Sequence, residues 1–287
     1  MTADAALPAR GKNFTRSSAS IPARLAREGK WHMLPLYFVA RTSDLAREGI
    51  ENSGSFRFAD HIYRGKAAGR FGIGRLVDAL LLALPASRSM RERYLHSRTQ
   101  VAGELLRAAA NRRRARILSV PCGIARELAE GARDAARTDP TAVESAELFG
   151  LDVDREPLEI SRSLAPPNVA FSFIQGDALD AASFPPSLDL IVSTGLGEFL
   201  SDNELATFYA NCLAALRPGG RFVTSSSSRS RFADRLLREL AELHAHYRDS
   251  RALQDALTRA GFTEISVRPD RFGLQSLATA IRPRESA

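Results

Sequence analysis

The sequence predicts an α/β protein in which a mostly parallel, seven-stranded sheet carries helices on both faces and follows a helical N-terminal extension. Three observations predict it. From residue 116 onward, short β-branched runs alternate with helical stretches, the pattern of a sheet wound through crossover helices. Before that point only helical periodicity is found, over 34–49, 74–84 and 89–111. With 287 residues, 44% of them hydrophobic and 25% charged, the chain has the length and balance of a globular protein with a sizeable core.

Each element has its own signal. Residues 1–20, with Ser17, Ser18 and Ser20 among scattered charges, show no period and read as a flexible arm. Residues 21–114 form the helical extension, in which Leu76, Leu80 and Leu84 share one helical face. Within it, the Gly- and aromatic-rich segment 54–75 reads as a long loop, and its mixture of Phe58, Asp60, His61, Tyr63 and Arg64 suits a lid over a pocket. In the third region, 115–287, strands are predicted at 117–120, 147–152, 169–176, 188–194, 221–226, 264–269 and 276–281. Helices are predicted to follow from Arg126, Pro157, Asp202, Ser230 and Arg251, the last ending before Gly261.

Composition narrows the function classes. The longest apolar runs, 33–40 and 76–86, fall short of the roughly 20 residues of a membrane span. Two cysteines 90 positions apart argue for neither a disulfide framework nor a zinc cluster, so a cytoplasmic location is expected. His244 and His246 stand two apart on a predicted helix, which turns them to different faces, and no metal is expected. Residues 1–114 hold 21 basic against 9 acidic side chains, a net +12 beside a net −5 for the remainder. Such asymmetry suits a polyanionic partner, nucleic acid or an anionic lipid surface. Only Lys12, Lys30 and Lys66 among 40 basic residues are lysine, however, and no aromatic-interleaved basic strand is present, which weighs against nucleic acid.

The residues that carry chemistry sit at the predicted strand ends. ILSVPCGIARELAEGA places a small-residue turn, pivoting on Gly123, between a strand and a helix, where backbone approaches a ligand. Asp152, 29 residues beyond Gly123, ends the second strand, where a carboxylate can accept both hydroxyls of a ribose or cap the following helix. Asp177, in FIQGDALD, lies past the third strand at a distance suited to an adenine amino group, and LRPGG at 216–220 is a sharp turn into the fifth.

In that order these pieces resemble the class I S-adenosylmethionine-dependent methyltransferases, and the resemblance covers residues 115 to about 282. It implies a Rossmann-like fold, S-adenosyl-L-methionine as cofactor and methyl transfer, and the helical extension, which reads as a substrate cover, points to a small-molecule substrate. It implies that Ser119, Pro121, Cys122 and Gly123 match the first motif, against the methionine part of the cofactor. Asp152, followed by Val153, matches the ribose-binding acid, and Asp177 and Ala178 match the adenine-contacting position. Ser193, Thr194 and Gly195 fall where the fourth strand faces sulfonium and substrate. The chain departs from the motif: Ser119 replaces an acid, Pro121 removes a backbone donor, and Ala125 stands for a glycine. Arg126 and Glu127 are the neighbours from which compensation would have to come.

Methyl transfer requires positioning, and a base only where the acceptor loses a proton. Glu198, in STGLGEFLSD, is the candidate acid there, or else a helix-start carboxylate. His61 and Tyr63 on the lid are further catalytic candidates, with His32 and His96 having equal claim as the base. Phe199 is placed to face a sulfonium or to pack, and Ser225 in the run 225–231 to touch substrate. A second reading keeps the cofactor but cyclises it to azetidine-2-carboxylate with release of methylthioadenosine. A third is a nucleic-acid methyltransferase. The oligomeric state is not legible.

Overall fold

The computed structural model describes residues 20–52, 55–228 and 246–284. The arm apart from Ser20, the predicted helix from Ser230, and His244 lie outside the described residues. The extension contains α1 (Ser20–Arg27), α2 (Met33–Ala40), α3 (Asp44–Glu51), α4 (Phe56–Arg64), α5 (Ile73–Ala83) and α6 (Pro85–Ala110). The single helix expected over 34–49 is two, divided at Thr42 and Ser43, because Ser43 takes an extended backbone and its hydroxyl caps the Ala46 amide at 3.0 Å.

The expected loop over 54–75 is half helix. Ser55 accepts from the Phe58 amide at 3.1 Å and so starts α4. Gly65 stops it in the left-handed conformation, at φ 62°, where an added Cβ would lie 2.8 Å from the Arg91 guanidinium. Only the stretch between α4 and α5 is loop. On α5 the stripe of Leu76 and Leu80 faces solvent, while Gly74, Asp78 and Leu82 face inward.

The sheet contains β1 (Arg116–Ser119), β2 (Glu147–Asp152), β3 (Ala170–Gln175), β4 (Leu188–Ser193), β5 (Leu216–Ser227), β6 (Thr263–Pro269) and β7 (Gln275–Ile281), one for each predicted strand. Their order is β3-β2-β1-β4-β5-β7-β6, with β1 to β5 parallel and β7 antiparallel to both its neighbours. The order reverses between β1 and β4, which opens a crevice at the C-terminal ends of these strands. LRPGG proves to be the first part of β5: its pairing with β4 jumps from Leu188–Leu216 to Leu190–Arg221. Gly220 fits that bulge because a Cβ would sit 2.9 Å from the Leu188 carbonyl oxygen.

The connecting helices are α7 (Arg126–Thr138), α8 (Thr141–Glu144), α9 (Arg155–Leu164), α10 (Asp202–Ala215) and α11 (Ser250–Arg259). A reciprocal capping box between Ser201 and Glu204 opens α10. Alternation along the strands splits the core between the two faces: Ile117, Leu190 and Val192 pack toward α6 and α7, and Leu118, Ile191 and Phe222 toward α10 and α11. The final helix of the extension belongs to the first of these cores, through Val101, Leu105 and Ala108. It crosses α7 where Gly131 leaves room, since a Cβ there would lie 2.7 Å from Val101 Cγ1.

Candidate active site

The turn between β1 and α7 forms one wall of the crevice. Gly123, at φ 48°, donates its amide to Asp152 Oδ2 at 2.8 Å, and the Asp154 amide reaches Asp152 Oδ1 at 3.1 Å. Asp152 is thereby held in the crevice by backbone donors alone. Burial raises its pKa, against the lowering effect of those amides. Val153 follows it, its carbonyl accepting from Gln175 Nε2 at 3.2 Å. Asp177 closes a local turn by accepting from the Leu179 amide at 2.9 Å, and both it and Ala178 remain half-buried past the end of β3.

The departures from the motif are resolved locally. The Val120–Pro121 peptide is cis. Ala125 occupies the left-handed region, at φ 47°, that a glycine would enter without strain. The Ser119 hydroxyl is hydrogen-bonded to Glu127 on the first turn of α7, so a carboxylate stands at this place although β1 carries none. Burial raises the pKa of Glu127, and the Ser119 hydroxyl opposes the rise.

Cys122 turns its sulfur to the core against Gly150, where a Cβ would approach it to 3.0 Å, and donates its amide to the Leu151 carbonyl at 2.9 Å. Burial pushes its thiol pKa up, as expected of a group packed in the core.

Across the crevice, the end of β4 meets the helical cap. Arg93 of α6, only 4% exposed, reaches Glu198 Oε1 at 3.4 Å and the Tyr63 hydroxyl at 3.3 Å. Ser227 at the end of β5 donates to the other oxygen of Glu198. Tyr63 stacks on Tyr94 with ring centroids 4.7 Å apart. Two of the three predicted catalytic residues, Tyr63 and Glu198, are thus joined through an arginine that the sequence did not single out.

Gly195 lies beneath that arginine, where a Cβ would meet Nη2 at 3.0 Å. Arg248, also unforeseen, fixes the turn that carries Glu198 by donating to the carbonyls of Gly197 at 2.6 Å and Leu200 at 2.9 Å. The His246 amide donates to the Glu198 carbonyl at 2.7 Å. Buried Ser193 Oγ, Ser225 Oγ and Arg93 Nε have no hydrogen-bond partner among the described residues, while Thr194 is half-buried and Phe199 37% exposed. Unpaired buried polar atoms toward the ends of two central strands and on α6 are of the kind a polar ligand can satisfy.

His61 is held by a carboxylate of the cap. Its Nε2 lies 2.7 Å from Asp78 Oδ2, inside the cap, and Asp78 also accepts from Ser43 Oγ at 2.5 Å and from the amides of Leu45 at 2.8 Å and Ala68 at 2.9 Å. Burial alone would raise the Asp78 pKa, but these donors together hold it below the ordinary carboxylate range. The imidazole is therefore one of four ligands of a structural carboxylate.

The cap seats on the crevice through α4. Phe56 Cβ is 3.5 Å from the position of a Cβ on Gly123, Asp60 accepts from Arg126 Nε at 2.6 Å, and Arg57 pairs with Glu156 on α9.

The profile of the protein family described as "Putative methyltransferase" matches residues 28–282. The chain belongs to this methyltransferase family. Among solved structures, a protein described as a possible exported protein from Bordetella parapertussis is similar over 96% of this chain and 100% of its own, with 21% identity and a TM-score of 0.75. The magnesium protoporphyrin IX methyltransferase of Synechocystis PCC 6803, with bound S-adenosylhomocysteine, is similar over 78% of this chain and 93% of its own, with 12% identity and a TM-score of 0.50. These likenesses show the class I S-adenosylmethionine-dependent methyltransferase fold, with its cap, in this methyltransferase. No curated protein matches the sequence significantly. Among the described residues, no helix of the methyltransferase is long and apolar enough to cross a membrane.

Proposed function

We propose that this methyltransferase binds S-adenosylmethionine between Gly123, Asp152 and Asp177 and methylates a small, polar molecule held under the cap beside Glu198. The observation that carries the reading is the meeting of Tyr63 and Arg93 with Glu198 at the end of β4, across the crevice from the Asp152–Gly123 pair. Bound there, the cofactor supplies an electrophilic methyl group.

In this reading Asp152 takes the ribose hydroxyls, Asp177 and Ala178 the adenine edge, and Ser119, Pro121, Gly123 and Val153 the loop contacts, with Ser193 and Thr194 facing the transferred group. Arg93 and Ser227 orient Glu198, leaving it to accept a proton from the acceptor. Because Arg93 is buried beneath the helices, the acceptor site admits a small molecule rather than a folded polymer. The two unpaired, buried thiols fit a cytoplasmic setting.

Asp152→Ala is expected to weaken S-adenosylmethionine binding by about 3 kcal/mol, roughly 100-fold, in titration calorimetry. Unchanged affinity would sink the ribose assignment. Glu198→Gln is expected to lower turnover at least tenfold in an assay of S-adenosylhomocysteine release while leaving cofactor affinity in place. Release of methylthioadenosine in place of S-adenosylhomocysteine would replace methyl transfer by cyclisation of the cofactor.

A further inference from the structure

The extension shows an apolar surface that the site does not use. On α2, Leu36 is 60% and Phe38 57% exposed; on α5, Ile73, Leu76 and Leu80 are each 60% or more exposed. The two helices are joined at their ends: the Arg70 amide donates to the Thr42 carbonyl at 3.0 Å, Ser43 pairs with Gly69, and Gly74 lies so close that a Cβ would be 2.1 Å from Thr42 O. Both helices thus expose apolar side chains from one corner of the extension, with Ile73, Leu76 and Leu80 sharing a single face of α5. Between them the loop holds Phe71 out to solvent, 87% exposed, on a left-handed backbone at φ 57° that costs an aromatic residue about 1 kcal/mol. Such a conformation turns the ring away from the protein.

The unpaired charge around the patch has one sign. Residues 31–43 and 64–77 contain no acidic side chain, and of the acids that flank them Glu28 is paired with Lys30, Asp44 with Arg47 and Asp60 with Arg64 and Arg126, while Asp78 is buried and saturated. Lys66, Arg70 and Arg75 are exposed and form no ion pair with another described residue. A second copy docked face to face would oppose this cationic rim with its own. An anionic lipid surface neutralises it and takes up the apolar side chains at once.

We propose that the α2–α5 face, with Phe71 at its tip, seats the protein on the surface of an anionic lipid bilayer without crossing it. Trp31, two residues ahead of α2 and 64% exposed, is the only tryptophan of the chain, so its emission reports on the α2 side of this region.

The full chain is mixed with vesicles of phosphatidylcholine, or of phosphatidylcholine and phosphatidylglycerol in equal parts, and Trp31 emission and co-flotation are followed. A blue shift and flotation with the anionic vesicles only, weakened by salt, are expected. Arg70→Gln with Arg75→Gln should weaken partition about 30-fold, and Phe71→Asn with Leu76→Gln about 100-fold. Thermal stability should not fall and cofactor binding should be unmoved in both, because the replaced side chains are exposed and Asn tolerates the left-handed backbone at position 71. No shift with either vesicle, equal binding to both, or a doubled solution mass with Trp31 already blue-shifted would overturn the proposal, the last by assigning the face to a second copy.

Discussion

In the sheet region the bulkiest side chains turn inward, with Phe208, Tyr209 and Phe222 at 2% exposure or less, whereas in the cap Trp31, Phe38 and Phe71 turn outward. Apart from Tyr37 and Tyr94, what the cap buries is smaller or more polar. Leu45, Ile62 and Leu82 form one of its apolar clusters, and beside them Asp78 gathers four donors from Ser43, Leu45, His61 and Ala68. One half is thus held chiefly by removing hydrocarbon from water; the other depends on satisfying a carboxylate that would be costly to leave unpaired. A region organised in this way can spare its hydrophobic residues for an outer surface.

The contrast can be broken most directly at Asp78. Asp78→Ala strands the Ser43 hydroxyl, two amides and an imidazole, and is expected to cost about 3–5 kcal/mol in chemical denaturation, with the cap unfolding before the sheet. An undiminished cap would mean that its small apolar clusters suffice. Gly131→Val tests the seam the two regions share, because the added methyls collide with Val101; a loss of roughly 2–3 kcal/mol is expected, felt by both halves together.

The smallest effect sharpens the contrast through pH. Burial, and then the nearby Arg268, lowers the pKa of His96 to about 4, below its unfolded value. Between that value and about 6.5 the unfolded chain binds the extra proton, so stability is full above the window and falls as pH drops through it, by roughly 2 kcal/mol after allowance for partial exposure. His96→Gln should flatten that part of the stability profile. A slope that persists would assign it to other groups.

The sheet was legible because β-branched runs and strand-end acids are local signals. β5 was underestimated at its start, where Pro218 and two glycines read as a turn but pair with β4 through a bulge. The cap was less legible. The glycines and aromatics of 54–75 suggested a loop, although Ser55 and Gly65 were start and stop signals for the helix between them. Asp78 is hidden inside the apolar run 76–86, and so the partner that claims His61 went unseen. Arg93 carried no signal at all: in a chain with 37 arginines, only burial distinguishes the one that meets Glu198.

The carboxylate beside Ser119 belongs to a helix and not to a strand. A strand-borne acid would be anchored by the sheet on both sides, but Glu127 rides on the first turn of α7, one residue after the Arg126 that Asp60 of the cap grips. The carboxylate beside Ser119 and the ion pair that seats the cap therefore share the first turn of α7, so its placement depends on the helix and the cap as well as on the sheet.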